Sequence, residues 1–219
     1  MELTPALLEQ AYRAGCFPMP DEFGIIRWYQ PKPRAVLPLD AFHISHSLRR
    51  KLRRTVCKPQ APVPAAGSSG APAACAPTSA DPSLFTVTYD QAFSEVMRGC
   101  ANRRPTWITA EFFRGYTALH RLGKAHSVEV WHAGRLAGGT YGVHLGGAFF
   151  AESKFHTVTD ASKVALAKLV ERLKERGFTL LEVQFLTPHL AQFGVLEIPH
   201  AEYMRRLEAA LKLRCDFQA

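Results

Sequence analysis

Acidic residues are the scarcer charge in this chain: 19 Asp and Glu stand against 27 Lys and Arg among 219 residues, a net charge of +8. Cysteine is sparse and patternless. Cys16, Cys57, Cys75, Cys100 and Cys215 are odd in number, scattered, and form no Cys-x-x-Cys pair. That argues against a disulfide framework or a structural zinc site and for a reducing compartment, so a cytoplasmic protein is expected. No apolar run approaches the roughly 18 residues of a membrane helix. The opening Met1-Glu2-Leu3-Thr4-Pro5 lacks the charged-then-apolar pattern of an export signal. Neither His-x-x-x-His nor His-Glu-x-x-His occurs, and no Gly-x-Ser-x-Gly elbow is present, so no metal ligand set and no serine or cysteine nucleophile is expected. What is present is a 47% apolar composition, enough for a packed globular protein.

The positive charge is local. Arg49, Arg50, Lys51, Arg53, Arg54 and Lys58 put six cations and no anion into ten residues, leaving +2 for the rest of the chain. Two readings stand: a phosphate-contacting patch, whose affinity would fall steeply with salt, or a solvated helix face. Helical spacing lets Leu48 and Leu52 pack while the charges fan outward.

Residues 58–83 are 26 in number, and 20 of them are Ala, Pro, Gly or Ser, with no aromatic. Such a segment cannot bury enough apolar surface to offset its ordering entropy, so a flexible insertion is expected there. On either side, the pattern predicts a helix capped by Thr4 and ended by Gly15, a strand over 25–29, and a short extended piece over 35–39. A strand over 85–89 follows, then helices opened by Asp90 and by Thr109. Three strands near 126–132, 135–144 and 147–155 are joined by Ala133-Gly134 and Gly146-Gly147, an antiparallel meander. A helix over 160–176, a strand over 178–186 and a helix over 201–213 complete an α+β layered fold.

Two of these strands carry polar groups among apolar ones. Alternation places Glu182 and Gln184 on one face of the 178–186 strand. An unpaired buried carboxylate costs several kcal/mol, so the pair needs partners or a purpose. An edge strand open to water is the competing reading. In 148–155, Glu152 and Lys154 fall on one face, where an ion pair between them is expected, and Phe149, Ala151 and Phe155 on the other. Two central strands, each with a carboxylate, suggest a shared cleft.

Ordered islands then resemble one known family. They include Gly15-Cys16-Phe17-Pro18-Met19, Pro33-Arg34-Ala35-Val36-Leu37, Phe42-His43-Ile44-Ser45 and Thr106-Trp107-Ile108-Thr109. Further along come the run from Gly123 to Trp131, Gly138-Gly139-Thr140-Tyr141-Gly142-Val143, Asp160-Ala161-Ser162-Lys163, Gln184 with Thr187-Pro188-His189-Leu190, and Glu197-Ile198-Pro199. Together they resemble the bacterial leucyl/phenylalanyl-tRNA–protein transferase family over almost the whole chain outside 58–83. The resemblance implies a small N-terminal domain, residues 1–38, and a GNAT-like aminoacyltransferase domain, residues 39–219, with 58–83 inserted in it. It implies transfer of Leu, Phe or Met from aminoacyl-tRNA to an N-terminal Arg or Lys of an acceptor protein, marking that protein for degradation. An ester is exchanged for an amide, so neither ATP, metal nor other cofactor is required. A monomer with no membrane partner is expected.

By the same resemblance, Glu182 stands where the family usually has an Asp that orients or deprotonates the attacking amine, and Gln184 holds the reacting groups. Met19, Trp107, Thr140, Glu152 and Lys154 belong to the substrate pocket. Arg49, Arg50, Lys51, Arg53 and Arg54 match the tRNA-contacting region. The sequence departs from the family pattern in several places: Glu182 is one methylene longer than Asp, Lys154 replaces an apolar residue, Ala151 replaces a Gly, and Thr140 replaces Met or Leu. Two alternatives remain at this point. One is a tRNA-binding member without catalysis. The other is an acyl-CoA-dependent acetyltransferase, against which the segment 154–163 offers no glycine for a pyrophosphate loop.

Overall fold

The computed structural model describes residues 2–58, 84–103 and 105–218. Apart from Lys58, the expected 58–83 insertion lies outside the described residues. An eight-stranded mixed sheet has the order β10-β3-β9-β8-β7-β6-β5-β4, and a separate hairpin pairs β1 (Phe17–Pro20) with β2 (Ile26–Tyr29). The expected meander is present: β6 (Ala125–His132), β7 (Arg135–Leu145) and β8 (Ala148–His156) are antiparallel neighbours. Its first turn puts Ala133 at φ 48° and Gly134 at φ 73°, the left-handed geometry that matches a two-residue hairpin to strand twist. β5 (Phe85–Tyr89) continues the sheet beyond β6, with β4 (Val56–Cys57) parallel to it at the edge. On the other side, β9 (Leu180–Gln184) runs parallel to β8, followed by β3 (Arg34–Val36) and β10 (Leu196–Ile198). β9 is therefore an interior strand, and the reading of its polar residues as a wet edge is excluded.

Helices cover both faces. One core joins α1 (Pro5–Arg13), α3 (Phe93–Ala101), α4 (Ala110–Arg121) and α7 (His200–Leu211) to the sheet through Leu8, Tyr12, Val96, Phe112, Tyr116 and Tyr203. The other face holds α5 (Ala161–Glu175), through Val164, Leu166, Leu169 and Leu173, with Leu48 of α2 (His46–Arg53) and Phe217. The cap of α1 forms as expected, with Leu7 N–H donating to Thr4 Oγ1 at 3.3 Å. Asp90 does not cap α3. It sits at φ 58° and accepts from Ser127 N–H and from the His126 ring, so α3 starts three residues later. The strand expected over 178–186 is shorter, because Gln184 takes φ 65° and turns the chain. Among the described residues no helix is long and apolar enough to cross a membrane.

Candidate active site

β8 and β9 are paired only at Ala148–Leu180, Phe149–Leu181 and Phe150–Glu182, and no pairing continues beyond. A cleft of about 420 Å³ lies at this end, lined by Thr140, Glu152, Lys154, Val183 and Leu190 among others. Three of the expected pocket residues, Thr140, Glu152 and Lys154, thus line one cavity. Gln184 reaches it indirectly, since its Nε2 donates to Glu152 Oε2 at 3.1 Å. Glu182, Met19 and Trp107 are not among the lining residues. Met19 and Trp107 pack instead against the core beside α1 and α4, with Trp107 edge-on to Phe112.

The expected Glu152–Lys154 ion pair is absent, and a bulge in β8 explains why. Tyr141 pairs with Ser153 and Gly142 with Ala151, which leaves Glu152 as an extra residue without a partner on β7. An inserted residue breaks strict alternation. Glu152 and Ser153 both face the α1–α4 side, where Ser153 Oγ accepts from Arg103 at 3.3 Å. Lys154 is turned to the α5 side with Leu166 and Leu190, and Phe155 goes to the Glu152 side, where its ring lies against Gly99. Phe155 therefore does not share a face with Phe149 and Ala151.

Glu152 sits in a ring of hydroxyls. Tyr12 Oη lies 2.6 Å from Oε1, Tyr116 Oη 3.1 Å from Oε2, and the two tyrosine oxygens are 2.7 Å apart. Three oxygen–oxygen contacts need three protons, and two phenols supply two. With an ionised carboxyl both phenols donate to it and the contact between them holds no proton, whereas a protonated carboxyl supplies the third. Burial pushes the Glu152 carboxyl up to about 7, against the opposing effect of its hydrogen bonds. Sequence reasoning missed Tyr12 and Tyr116, because nothing in either helix separates a tyrosine that meets a carboxyl from one that only packs in the core, where both lie.

Glu182 has a different environment. It is 1% exposed and meets Arg34, which is 0% exposed, in a two-pronged pair: Nε to Oε1 at 3.0 Å and Nη2 to Oε2 at 3.1 Å. Gln184 N–H donates to Oε1 at 2.8 Å, a bond that spans and fixes the left-handed turn. Arg34 Nη1 donates to the Gly15 carbonyl at 2.8 Å, and its guanidinium lies over the rings of Phe17 and Tyr203 at 5.0 and 4.5 Å. Burial by itself would lower the Arg34 pKa, but Glu182 holds it above the ordinary value. Arg34 also escaped the residue-level reading, although an arginine before Ala35-Val36-Leu37 on a strand was the available signal for a buried carboxylate partner.

The basic run forms α2, capped when Leu48 N–H donates to Ser45 Oγ at 3.3 Å. Leu48 is buried and Leu52 half-buried, while Arg49, Arg50, Arg53 and Arg54 are exposed. Arg50, Lys51 and Arg54 line a concavity of about 300 Å³ with Ser47, His132 and Asp160, whereas Arg49 and Arg53 lie outside its lining. Lys51 Nζ is held by Asp160 Oδ2 at 2.9 Å. Concavity and cleft flank the same β8–α5 connection: Val158 and Asp160 line the first, His156 and Ser162 the second.

Comparison with known proteins decides the family. Residues 78–208 match the family described as leucyl/phenylalanyl-tRNA protein transferase, and residues 1–32 match that family's N-terminal domain. The chain belongs to this family. A leucyl/phenylalanyl-tRNA–protein transferase of Salinibacter ruber is 48% identical over 217 residues, covering 99% of this chain and 84% of that protein. One of Rubrobacter xylanophilus is 49% identical over 214 residues, covering 97% of each. Among solved structures, the C-terminal domain of a lysylphosphatidylglycerol synthetase from Agrobacterium fabrum aligns with 97% of this chain and 60% of its own, at 13% identity and a TM-score of 0.40. Membership of the transferase family makes the chain an enzyme of the aminoacyltransferase type.

Proposed function

We propose that this protein moves an amino acid, Leu or Phe as the names of its relatives state, from aminoacyl-tRNA to an N-terminal Arg or Lys of an acceptor protein in the cytoplasm. The acceptor thereby gains the N-terminus of a degradation substrate. The observation that carries this reading is the junction of Glu152 and Gln184 at the open end of β8 and β9, in a chain of this family. The acceptor's α-amine attacks the ester carbonyl, a C–N bond forms, the bond to the ribose oxygen breaks, and the amine's proton passes to that oxygen. Such a step needs position, a proton path and a stabilised oxyanion.

In this reading Gln184, anchored through Nε2, turns its carboxamide oxygen to the incoming amine, and Glu152 with its two tyrosines forms a proton-sharing wall. Glu182 acts as a positioning residue, since its carboxylate is already occupied by Arg34 and by the Gln184 amide. Thr140 and Lys154 line the space around the aminoacyl end, and Met19 and Trp107 support it from the core. Arg49, Arg50, Lys51, Arg53 and Arg54 take tRNA phosphates, and the shared β8–α5 connection leads the 3′ end from that patch to the cleft. The sheet, with a parallel β8–β9 pair that separates to make a site, supports the GNAT-like domain over 39–219. Residues 1–38 form the N-terminal domain, 58–83 an insertion, and the protein acts as a monomer.

The test is a transfer assay with purified protein, a panel of charged tRNAs and peptides beginning with Arg or Lys, without ATP or CoA. Peptide products carrying Leu or Phe are expected. Salt-sensitive tRNA binding with no transfer from any charged tRNA would instead make the protein a tRNA-binding member without catalysis.

A further inference from the structure

Lys154 brings an unmatched charge into the cleft. Among the described residues its Nζ has no hydrogen bond and no ion pair, and the side chain lies with Thr140, Leu166, Val183 and Leu190. Its surroundings do not neutralise it. Glu152, the lining carboxyl, is directed to the other sheet face and held by Tyr12, Tyr116 and Gln184. Asp160 is taken by Lys51 and Lys163, at 2.9 and 3.0 Å. His189 adds no negative charge to the lining, and Arg103 lies on the Glu152 side, bonded to Ser153. Lys154 is half-buried, and burial draws its ammonium down to about 8 with no carboxylate to offset it.

We infer that the cleft contains a carboxylate-binding subsite centred on Lys154 Nζ, filled by the acidic side chain of one of the two reactants: the amino acid carried by the tRNA or the first residue of the acceptor. The inference rests on the transferase reading above. It adds a substrate class to those the family name states, because an apolar side chain leaves the ammonium unpaired whereas a carboxylate satisfies it. A ligand that covers the half-buried ammonium without pairing with it leaves the charge both dry and unmatched, so the cleft favours one that pairs. The apolar walls from Leu166, Val183 and Leu190 suit the methylenes of such a side chain.

Binding is read by calorimetry with the full chain, using L-glutamate α-methyl ester as the tRNA-side probe and Glu-Ala amide as the acceptor-side probe. L-leucine methyl ester and Arg-Ala amide are the references. At least one acidic probe is expected to bind wild type, to bind Lys154→Met at least about tenfold more weakly, and to bind Lys154→Arg within about threefold of wild type. Whichever probe shows this pattern names the source of the carboxylate. Acidic probes that bind wild type and Lys154→Met alike, or that fail to bind wild type, overturn the subsite. Transfer from a panel of charged tRNAs, Leu, Phe and Glu among them, to peptides beginning with Arg, Lys or Glu is measured on the same preparations. No transfer in any combination with the acidic-probe pattern intact defeats the transferase reading alone, and transfer with Lys154-independent binding of the acidic probes defeats the subsite alone.

Discussion

Glu152 is the residue at which proton chemistry and folding meet. Its ring of four oxygens holds a proton in every contact only when the carboxyl keeps its own, and burial moves that carboxyl from an ordinary 4.5 to about 7. The sign follows from linkage. A carboxyl whose folded-state value is raised gives stability that is full below about pH 4.5 and lost as the pH rises through about 7. For a side chain 8% exposed this amounts to roughly 3 kcal/mol between those limits. Denaturation midpoints of wild type should therefore fall relative to those of Glu152→Gln between pH 5 and pH 8, since an amide does not titrate yet can still donate to Tyr12. Parallel pH profiles for the two proteins would show that the carboxyl stays ionised in the fold.

At the scale of elements, β3 and β9 are joined by the Arg34–Glu182 pair as well as by their ladder. Replacing Arg34 with Met leaves Glu182 buried without its partner, and breaking a buried pair in this way costs about 3–5 kcal/mol. A fall of that size in the free energy of chemical unfolding is expected, and a change below about 1 kcal/mol would show that Glu182 finds water or neutralises itself. Strand alternation was enough to place Glu182 and Gln184 on one face, because β9 is regular up to its final residue. The same alternation failed in β8, where a single inserted residue sends Glu152 and Lys154 to opposite sides. A bulge leaves little trace in composition, so that part of the site was illegible. The clustering of Glu152 with Tyr12 and Tyr116 joins residues 140 and 36 positions apart, and no local pattern reports an encounter across three elements. Asp90 shows the opposite error: a good cap by composition was drawn off by His126 and Ser127 from a neighbouring strand.

For the whole molecule, six of the cations behind a net charge of +8 lie in one ten-residue run, four of them exposed on α2 and its end. Removing Arg49, Arg50, Arg53 and Arg54 together should weaken tRNA binding and flatten its dependence on salt. Each duplex phosphate that the protein no longer neutralises lowers the slope of log K against log salt by about 0.9. An unchanged slope would place the tRNA on another surface. The proposed chemistry lies where Gln184 meets Glu152, and the proposed tRNA contacts lie on α2. Replacing Gln184 with Ala and measuring single-turnover transfer beside tRNA affinity tests that division most directly. A drop in transfer of at least about 100-fold with affinity unchanged is the predicted result, in line with removal of a positioning or oxyanion-type group. Transfer at the wild-type rate would contradict it.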